Sequence, residues 1–419
     1  MFSLLTIRVG WFLAWRQIRR SSIWTTSLII FVILLTFLNL VVVTGILVGL
    51  VQGITDLYRL QETGDVIVST LDTKNYIEQS PQIIAFIETL PQVEHMTARY
   101  IAQGTIEANY KTRTDPNEKP NESGVAIVGI DPIAENAFSG VARNVQEGSY
   151  LAPGDFDQVV VGSQLIAKYS FGEIPGIRPL KNVGPGSTVR ITVGGQTREV
   201  VIKGILIDKA NSPLSSQVFM PAAQLRELAR RDDYSINQVA IRLAPGVDPV
   251  AFRDLLLRSG VGRFAKVQTF EQAIPNGVED VKNTFAVLGN AISSVGLVVA
   301  SITIFIVIFI NALTRRKFIG ILKGIGISPE AIEVAYLLQS LFYALVGSGI
   351  GLIILFGFLV PYISAHPINL PISNTILVAP VGETMVRVLL LVIATLIAGY
   401  IPARMIVKKN TLDSILGRN

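Results

Sequence analysis

The sequence predicts an α-helical membrane protein with four transmembrane helices and a large α+β extracytoplasmic domain between helices 1 and 2. Three observations predict it. Half of the 419 residues are apolar and only 16% are charged, against about 25% charged in a soluble protein of ordinary composition. Four stretches with almost no charge are each long enough to cross a bilayer, for which about 20 apolar residues suffice. Between the first two of them, residues 56–282 alternate apolar and polar positions and carry turn residues, as a soluble domain does.

Charge is distributed in the same way. Residues 1–51 hold 4 basic and no acidic side chains, residues 52–284 hold 23 and 27, and residues 285–419 hold 9 and 4. A basic excess confined to the flanks of apolar spans points to membrane topology and lipid headgroups, not to nucleic acid. There are no cysteines and two histidines, His95 and His366, in different regions. That excludes a disulfide framework, a thiolate metal site and a histidine-rich metal cluster.

Along the chain, residues 1–20 mix Leu, Phe and Trp with Arg8, Arg16, Arg19 and Arg20, the pattern of an amphipathic helix lying in the membrane interface. A cleaved signal peptide does not fit, because the charged region and the following apolar run are both too long and no small-residue cleavage site ends them. Residues 21–55 have no charge and form the first span, with Gly45, Gly49 and Gly53 on one helical face where another helix could approach closely. In the soluble part we expect strands at 65–69, 93–110, 124–130, 159–161, 188–193, 198–207 and 238–243. Helices are expected at 80–90 (with Ser80 as cap and Pro81 in the first turn), 163–169, 221–231, 249–259 and 269–283, the last running straight into the second span. The polar stretch 111–122 reads as an exposed loop or hairpin tip. The second span is 283–314, the third 333–360 with Gly347 and Gly351 on one face, and the fourth 384–407. Residues 361–383 make an outer loop with almost no charge, and 408–419 a short tail. Basic clusters at 8–20, 315–323 and 404–409 place both termini and the 315–332 loop in the cytosol and the large domain outside.

That loop organises the rest. Arg315-Arg316-Lys317 closes the second span, an amphipathic segment broken by glycines follows (Ile319, Gly320, Ile321, Leu322, Lys323, Gly324, Ile325, Gly326), and Ser328-Pro329-Glu330 reads as the capped start of the next helix. Ile319, Leu322 and Ile325 are expected to form its apolar face, with Lys323 at the rim.

This pattern resembles the loop between the second and third spans of the MacB/FtsX/LolC-type ABC permeases (the type VII ABC superfamily). Pro402-Ala403-Arg404 resembles that family's closing motif. Gly124 to Pro132, Glu147-Gly148-Ser149-Tyr150 and Val161 to Leu165 are similar to the extracytoplasmic domain of its LolC/LolE branch. The chain departs from the family at Phe318 and Gln339, where glutamate is usual, and at Asn410-Thr411, where Asp-Pro is usual. The resemblance implies a porter-like subdomain built from the flanks of the domain and a β-rich one from its middle. It also implies a coupling helix at 319–326 that docks on a cytosolic ATPase. ATP and Mg would bind that partner, and this chain would hold no cofactor or metal.

No Gly-x-x-x-x-Gly-Lys-Ser/Thr, Gly-x-Ser-x-Gly or His-Glu-x-x-His occurs, so phosphate cradling, serine hydrolase and zincin chemistry have no motif here. His95 beside Glu94 reads as a structural or solvated residue and not a catalytic one, and no carboxylate lies mid-span to carry ions. Asn39 and Gln339 are read as interhelical hydrogen-bonding groups. The expectation is a non-enzymatic permease subunit working with the ATPase, a second identical or related permease chain, membrane lipids and an extracytoplasmic adaptor. An FtsX-like regulator of a cell-wall hydrolase is the alternative within the family. A membrane-anchored receptor or enzyme would leave three spans without a task. The cysteine-free background allows a direct topology test: a cysteine at Asn117 should react with an impermeant thiol reagent added outside, one at Gly326 should not, and reversed labelling would overturn the orientation.

Overall fold

The computed structural model describes residues 4–111, 119–170, 178–208, 212–366 and 377–408. In chain order its elements begin with α1 (Leu4–Arg19), α2 (Ile23–Tyr58), β1 (Val66–Ser69), α3 (Ser80–Glu88), β2 (Val93–Ala108), β3 (Asn121–Ile130) and α4 (Pro132–Ser139). There follow β4 (Val145–Gly148), β5 (Gln158–Gly162), β6 (Thr188–Val193), β7 (Gln196–Leu206), β8 (Gln217–Pro221), α5 (Ala222–Leu228), β9 (Gln238–Leu243), α6 (Pro249–Arg258), β10 (Lys266–Thr269) and α7 (Phe270–Ala273). The last elements are α8 (Asn276–Thr314), α9 (Arg316–Gly324), α10 (Pro329–Ile354), α11 (Val360–Ala365) and α12 (Val381–Val407). The chain folds as two units. Gln52–Glu279 makes one, and the described residues up to Val51 and from Asp280 onward make the other.

Among the described residues four helical rods are long and apolar enough to cross a membrane: Ile23–Thr63, Gly277–Thr314, Pro329–Ala365 and Val381–Val407. The third continues from α10 to α11 through a π-helical turn at Leu355–Leu359, so helix persists to Ala365 inside the stretch expected as an outer loop. Residues 367–376 of that loop and 409–419 of the tail lie outside the described residues. Several hydroxyl side chains within the spans are satisfied by backbone carbonyls of their own helix, which suits a lipid surround. Thr44 donates to Leu40 O at 2.7 Å, Ser348 to Ala344 O at 2.7 Å and Thr395 to Leu391 O at 2.7 Å. Gln339, expected to bridge helices, instead donates to Tyr343 Oη one turn along the same helix at 2.7 Å.

Among the described residues of the soluble unit ten strands join in the order β10-β1-β9-β2-β3-β8-β5-β7-β4, with β6 bridging β2 and β7. The 16-residue β2 is the shared element. Its first half pairs with β9 and its second half with β3 and β6. The flanking segments build one core, in which Ile83 and Ile87 of α3 and Phe252 and Leu256 of α6 cover Val66, Val239 and Ile241. The middle of the unit builds another around Ile106, Ile127, Val161, Ile191 and Ile202. β3 is buried on both faces over Ile127–Ile130, as its unbroken apolar run requires. Asp131 and Asp248 cap α4 and α6, each accepting from two backbone N–H groups.

Several expectations are corrected. Ser80 is the first residue of α3 and not its cap; the cap position is Gln79, in the left-handed region at φ 56°. The helix expected at 269–283 is broken, because Pro275 has no N–H to extend α7 and a new helix starts at Asn276. Residues 163–169 form only a 3-10 turn at Ser163–Leu165. α4, β4, β8 and β10 are additional; each has eight residues or fewer, too short for periodicity to reveal. Of the polar stretch 111–122, residues 112–118 lie outside the described residues, and Asn121 and Glu122 belong to β3.

A buried charge network marks where the chain enters this unit. After α2 comes a π-helical turn, Arg59–Thr63, closed by Gly64 at φ 69°. The last carbonyls of a helix lack a donor on the helix itself. Arg99 of β2 supplies it: the guanidinium donates to Gln61 O at 2.6 Å and Glu62 O at 2.9 Å. The same group donates to both carboxylate oxygens of Glu135 on α4, at 2.9 and 2.6 Å. Arg99 and Glu135 are both fully buried. Burial alone would lower the arginine pKa, but the charges of Glu135 and Glu62 outweigh it and hold it above its ordinary value. Removing one partner of such a pair strands the other. Glu135→Leu should therefore cost about 3–5 kcal/mol, and Arg99→Met with Glu135→Leu distinctly less. The urea midpoint of the detergent-solubilised chain, followed by far-UV circular dichroism, checks this; equal losses would show that the pair is not coupled.

Candidate functional site

α9 is a nine-residue helix between the ends of two spans. It stops because Gly326 takes φ 93°, a conformation that side chains disfavour. The exit is a Schellman turn: Gly326 N–H donates to Lys323 O at 3.1 Å and Ile327 N–H to Leu322 O at 3.0 Å. Ser328 then caps α10, its hydroxyl accepting from Ala331 N–H at 3.3 Å with Pro329 in the first turn. Of the two glycines in Gly324-Ile325-Gly326, only Gly326 is required by its backbone; a Cβ on Gly324 would meet open space.

The faces of α9 differ from the expected ones. Ile319 is 3% exposed and shares a core with Ala312 of α8, Ile332 and Tyr336 of α10, and Ala403 and Ile406 of α12. Gly320 is buried too, and Leu322 is half-buried against the same core. Lys323 is no rim charge: its ammonium donates to Val407 O at 2.9 Å, satisfying a carbonyl at the C-terminal end of α12. What faces outward is Phe318 (68% exposed), Ile321 (51%) and Ile325 (71%). These positions fall at i, i+3 and i+7, one ridge of a helix. Helical spacing made two apolar stripes available, and the fold buried the stripe containing Ile319. In the sequence Phe318 stands out only as a departure from a family pattern.

Pro402 and Ala403 lie inside α12 and are buried, while Arg404 is exposed with its guanidinium 5.7 Å from the centre of the Tyr400 ring. Small residues act as seats between helices. A Cβ on Gly347 would lie 2.7 Å from Ile33 Cγ2 of α2, and one on Gly351 would strike the Phe37 ring. Gly45 is covered by its own chain: Val378 N–H donates to its carbonyl at 3.1 Å, and a Cβ would lie 2.8 Å from Leu377. That corrects the expectation that this face awaits another helix. Gly49 is buried as well. Asn39 is exposed instead, in an open cleft of about 510 Å³ between α2 and α8 lined by Leu35, Thr36, Ile292, Val295, Gly296 and Val299. Among the described residues no cluster of His, Asp and Glu could hold a metal ion.

Four membrane-length helices, a short helix between the second and third, and a β-rich unit between the first and second in chain order define a multi-span membrane subunit with a large inserted domain. Residues 25–258 match the family described as MacB-like periplasmic core domain, and residues 290–411 that described as FtsX-like permease C-terminal. The chain belongs to the MacB/FtsX-type ABC permeases, and is a membrane protein with an extracytoplasmic domain. An uncharacterized ABC transporter permease protein of Mycobacterium tuberculosis is 24% identical over 247 residues, 54% of this chain and 25% of that protein. The macrolide export ATP-binding/permease protein MacB of Hahella chejuensis is 26% identical over 147 residues, 33% of this chain and 22% of that protein. The chain spans about a quarter of the length of the curated relatives it matches. Among solved structures, the periplasmic region of MacB from Actinobacillus actinomycetemcomitans matches with a TM-score of 0.35 and 14% identity, over 51% of this chain and 92% of that one. The extracellular domain of the noncanonic ABC-type transporter YknZ from Gram-positive bacteria gives 0.32 and 15%, over 49% and 98%.

The two faces of α9 predict opposite responses to truncation. Ile319→Ala should destabilise the solubilised chain by about 2–5 kcal/mol, as emptying a core site does, whereas Ile321→Ala should stay within about 0.5 kcal/mol. Thermal unfolding of both variants decides it, and equal effects would show that the ridge is not a free surface.

Proposed function

We propose that this chain receives work from a separate cytosolic ABC ATPase at α9 and passes it to its extracytoplasmic domain, driving export or extraction of a substrate such as a lipoprotein, lipid, peptide or drug. The observation that carries the reading is the Phe318–Ile321–Ile325 ridge. Three large apolar side chains stand exposed beside Lys317, at a loop whose cationic flanks belong in the cytosol. Exposed apolar residues clustered on one helix face suit insertion into a groove on a soluble partner. The buried stripe of the same helix ties it to α8, α10 and α12, so a push on the ridge would reach three spans at once.

ATP and Mg belong to the partner. The chain would work as one of a pair, identical or related, meeting through α2 and α8. In support, α8 is the span least covered by its own chain, with 12% of its apolar window buried against 28–39% in the others. The exposed Asn39 amide and the adjacent Gly296 then lie where a second chain would approach. Both termini would be cytosolic, and an extracytoplasmic adaptor is a further candidate partner. The FtsX-like alternative keeps the ATPase and replaces the substrate by an external hydrolase.

Truncating or charging a buried interface anchor costs about 2 kcal/mol or more. With the ATPase that co-purifies, Ile321→Asp should lose binding and coupled ATP turnover by at least about tenfold, while the chain stays inserted and folded. Lys317→Ala, at the rim, should lose little and mostly at low salt. An Ile321→Asp variant that still binds and stimulates the ATPase normally would end the coupling role of α9.

A further inference from the structure

α1 has no part in the coupling site described above, yet it rests on α10, the helix that follows α9. Its narrow buried face is Gly10 and Ala14, one turn apart. A Cβ on Gly10 would lie 2.6 Å from Val334 Cγ1 and 3.1 Å from Ala331 O, so α1 sits directly on the first turns of α10. Those turns follow the Ser328 cap at the exit of α9. One helix start is therefore gripped by the coupling loop from one end and by α1 from the side.

The opposite face of α1 is exposed and mixed in a particular way. Ile7, Trp11, Phe12 and Trp15 are exposed, and Arg8, Arg16 and Arg19 are exposed among them. At 100° per residue Arg8 and Arg19 fall between Trp15 and Phe12, inside the aromatic face and not on a separate polar one. Residues 1–51 contain no acidic side chain, and none of these arginines pairs with a carboxylate among the described residues. A soluble protein partner would be met by an apolar core and a polar rim. Tryptophan interleaved with unpaired arginine suits the headgroup layer of a bilayer, where the rings lie at the interface and the cations meet phosphate.

We propose that this face of α1 binds the headgroups of anionic lipid, and that through the Gly10 seat anionic lipid sets the position of the start of α10 and of the coupling helix beside it. The second half deepens the reading of α9 as the coupling site; the lipid half stands without it. The charge is what discriminates: a zwitterionic surface offers the rings the same interface but no net field, and each added arginine near an anionic surface strengthens the attraction.

The three tryptophans of the chain are Trp11, Trp15 and Trp24, so Trp24→Phe leaves α1 as the only source of tryptophan fluorescence. The full chain, reconstituted in phosphatidylcholine vesicles containing brominated phosphatidylglycerol or, at equal mole fraction, brominated phosphatidylcholine, should be quenched about twofold more by the anionic lipid. Changing Arg8, Arg16 and Arg19 to Gln should remove the preference while leaving quenching by the zwitterionic lipid. Equal quenching by both lipids overturns the charge recognition, and quenching by neither means protein covers this face, which overturns the proposal. For the second half, a spin label on Ile325→Cys, unique in a cysteine-free chain, should change mobility between zwitterionic and anionic vesicles. Both Gly10→Leu and the arginine triple variant should abolish that response. A label indifferent to lipid overturns the link to the coupling loop. Neither readout uses the ATPase, so a failed docking assay with intact lipid effects would remove the coupling reading alone.

Discussion

Close backbone approach onto α10 is the constraint on which the membrane unit depends. Lipid tails are as apolar as leucine, so burying leucine against another helix gains little there, and helices associate where small side chains let backbones and neighbours interlock. Three elements meet α10 that way. α1 arrives through Gly10 at Val334, α2 through Ile33 and Phe37 at Gly347 and Gly351, and α12 through Gly399 at Ser340. In each case the glycine is the seat, sometimes on α10 and sometimes on its partner. Any side chain added at these positions would have to move a neighbour, because the added Cβ lies at or within 3 Å of an existing atom.

The position of α9 follows from that arrangement. Its buried stripe enters the core formed where the ends of α8 and α12 meet the start of α10, and Lys323 fastens it to the last turn of α12. A helix held on one side by packing and by a charged hydrogen bond presents its other side with little freedom to reorient. The Schellman turn at Gly326 and the Ser328 cap remove what play the loop would otherwise have. A helix fixed at both its buried stripe and its exit suits the docking role proposed for it, in which a displacement is transmitted and not absorbed.

In the soluble unit the equivalent constraint is electrostatic. A guanidinium fully out of water is tolerated only where its donors are met. Arg99 meets that condition by joining the end of the helix that follows α2 to Glu135 on α4. The long strand β2, which carries Arg99, also unites the two cores of the unit. The residue therefore ties the entry segment to the one strand shared by both cores.

The four spans, the soluble insertion, the amphipathic α1 and the Ser328-Pro329 cap were legible in the sequence, because each rests on local properties: length of apolar run, period of hydrophobicity, chemistry of a cap. The family was legible for the same reason, since its loop and closing motifs are contiguous. What periodicity could not reveal was which of two apolar stripes on α9 is covered, that Lys323 reaches Val407 eighty-four residues away, or that Gly45 is filled by Leu377 and not by a second chain. Arg99 and Glu135 gave no signal either; each alone reads as an ordinary surface residue, and only long-range strand and helix packing makes them a buried pair. Burial of a side chain depends on what the rest of the chain brings to it, and that is decided by tertiary contacts between residues far apart in sequence.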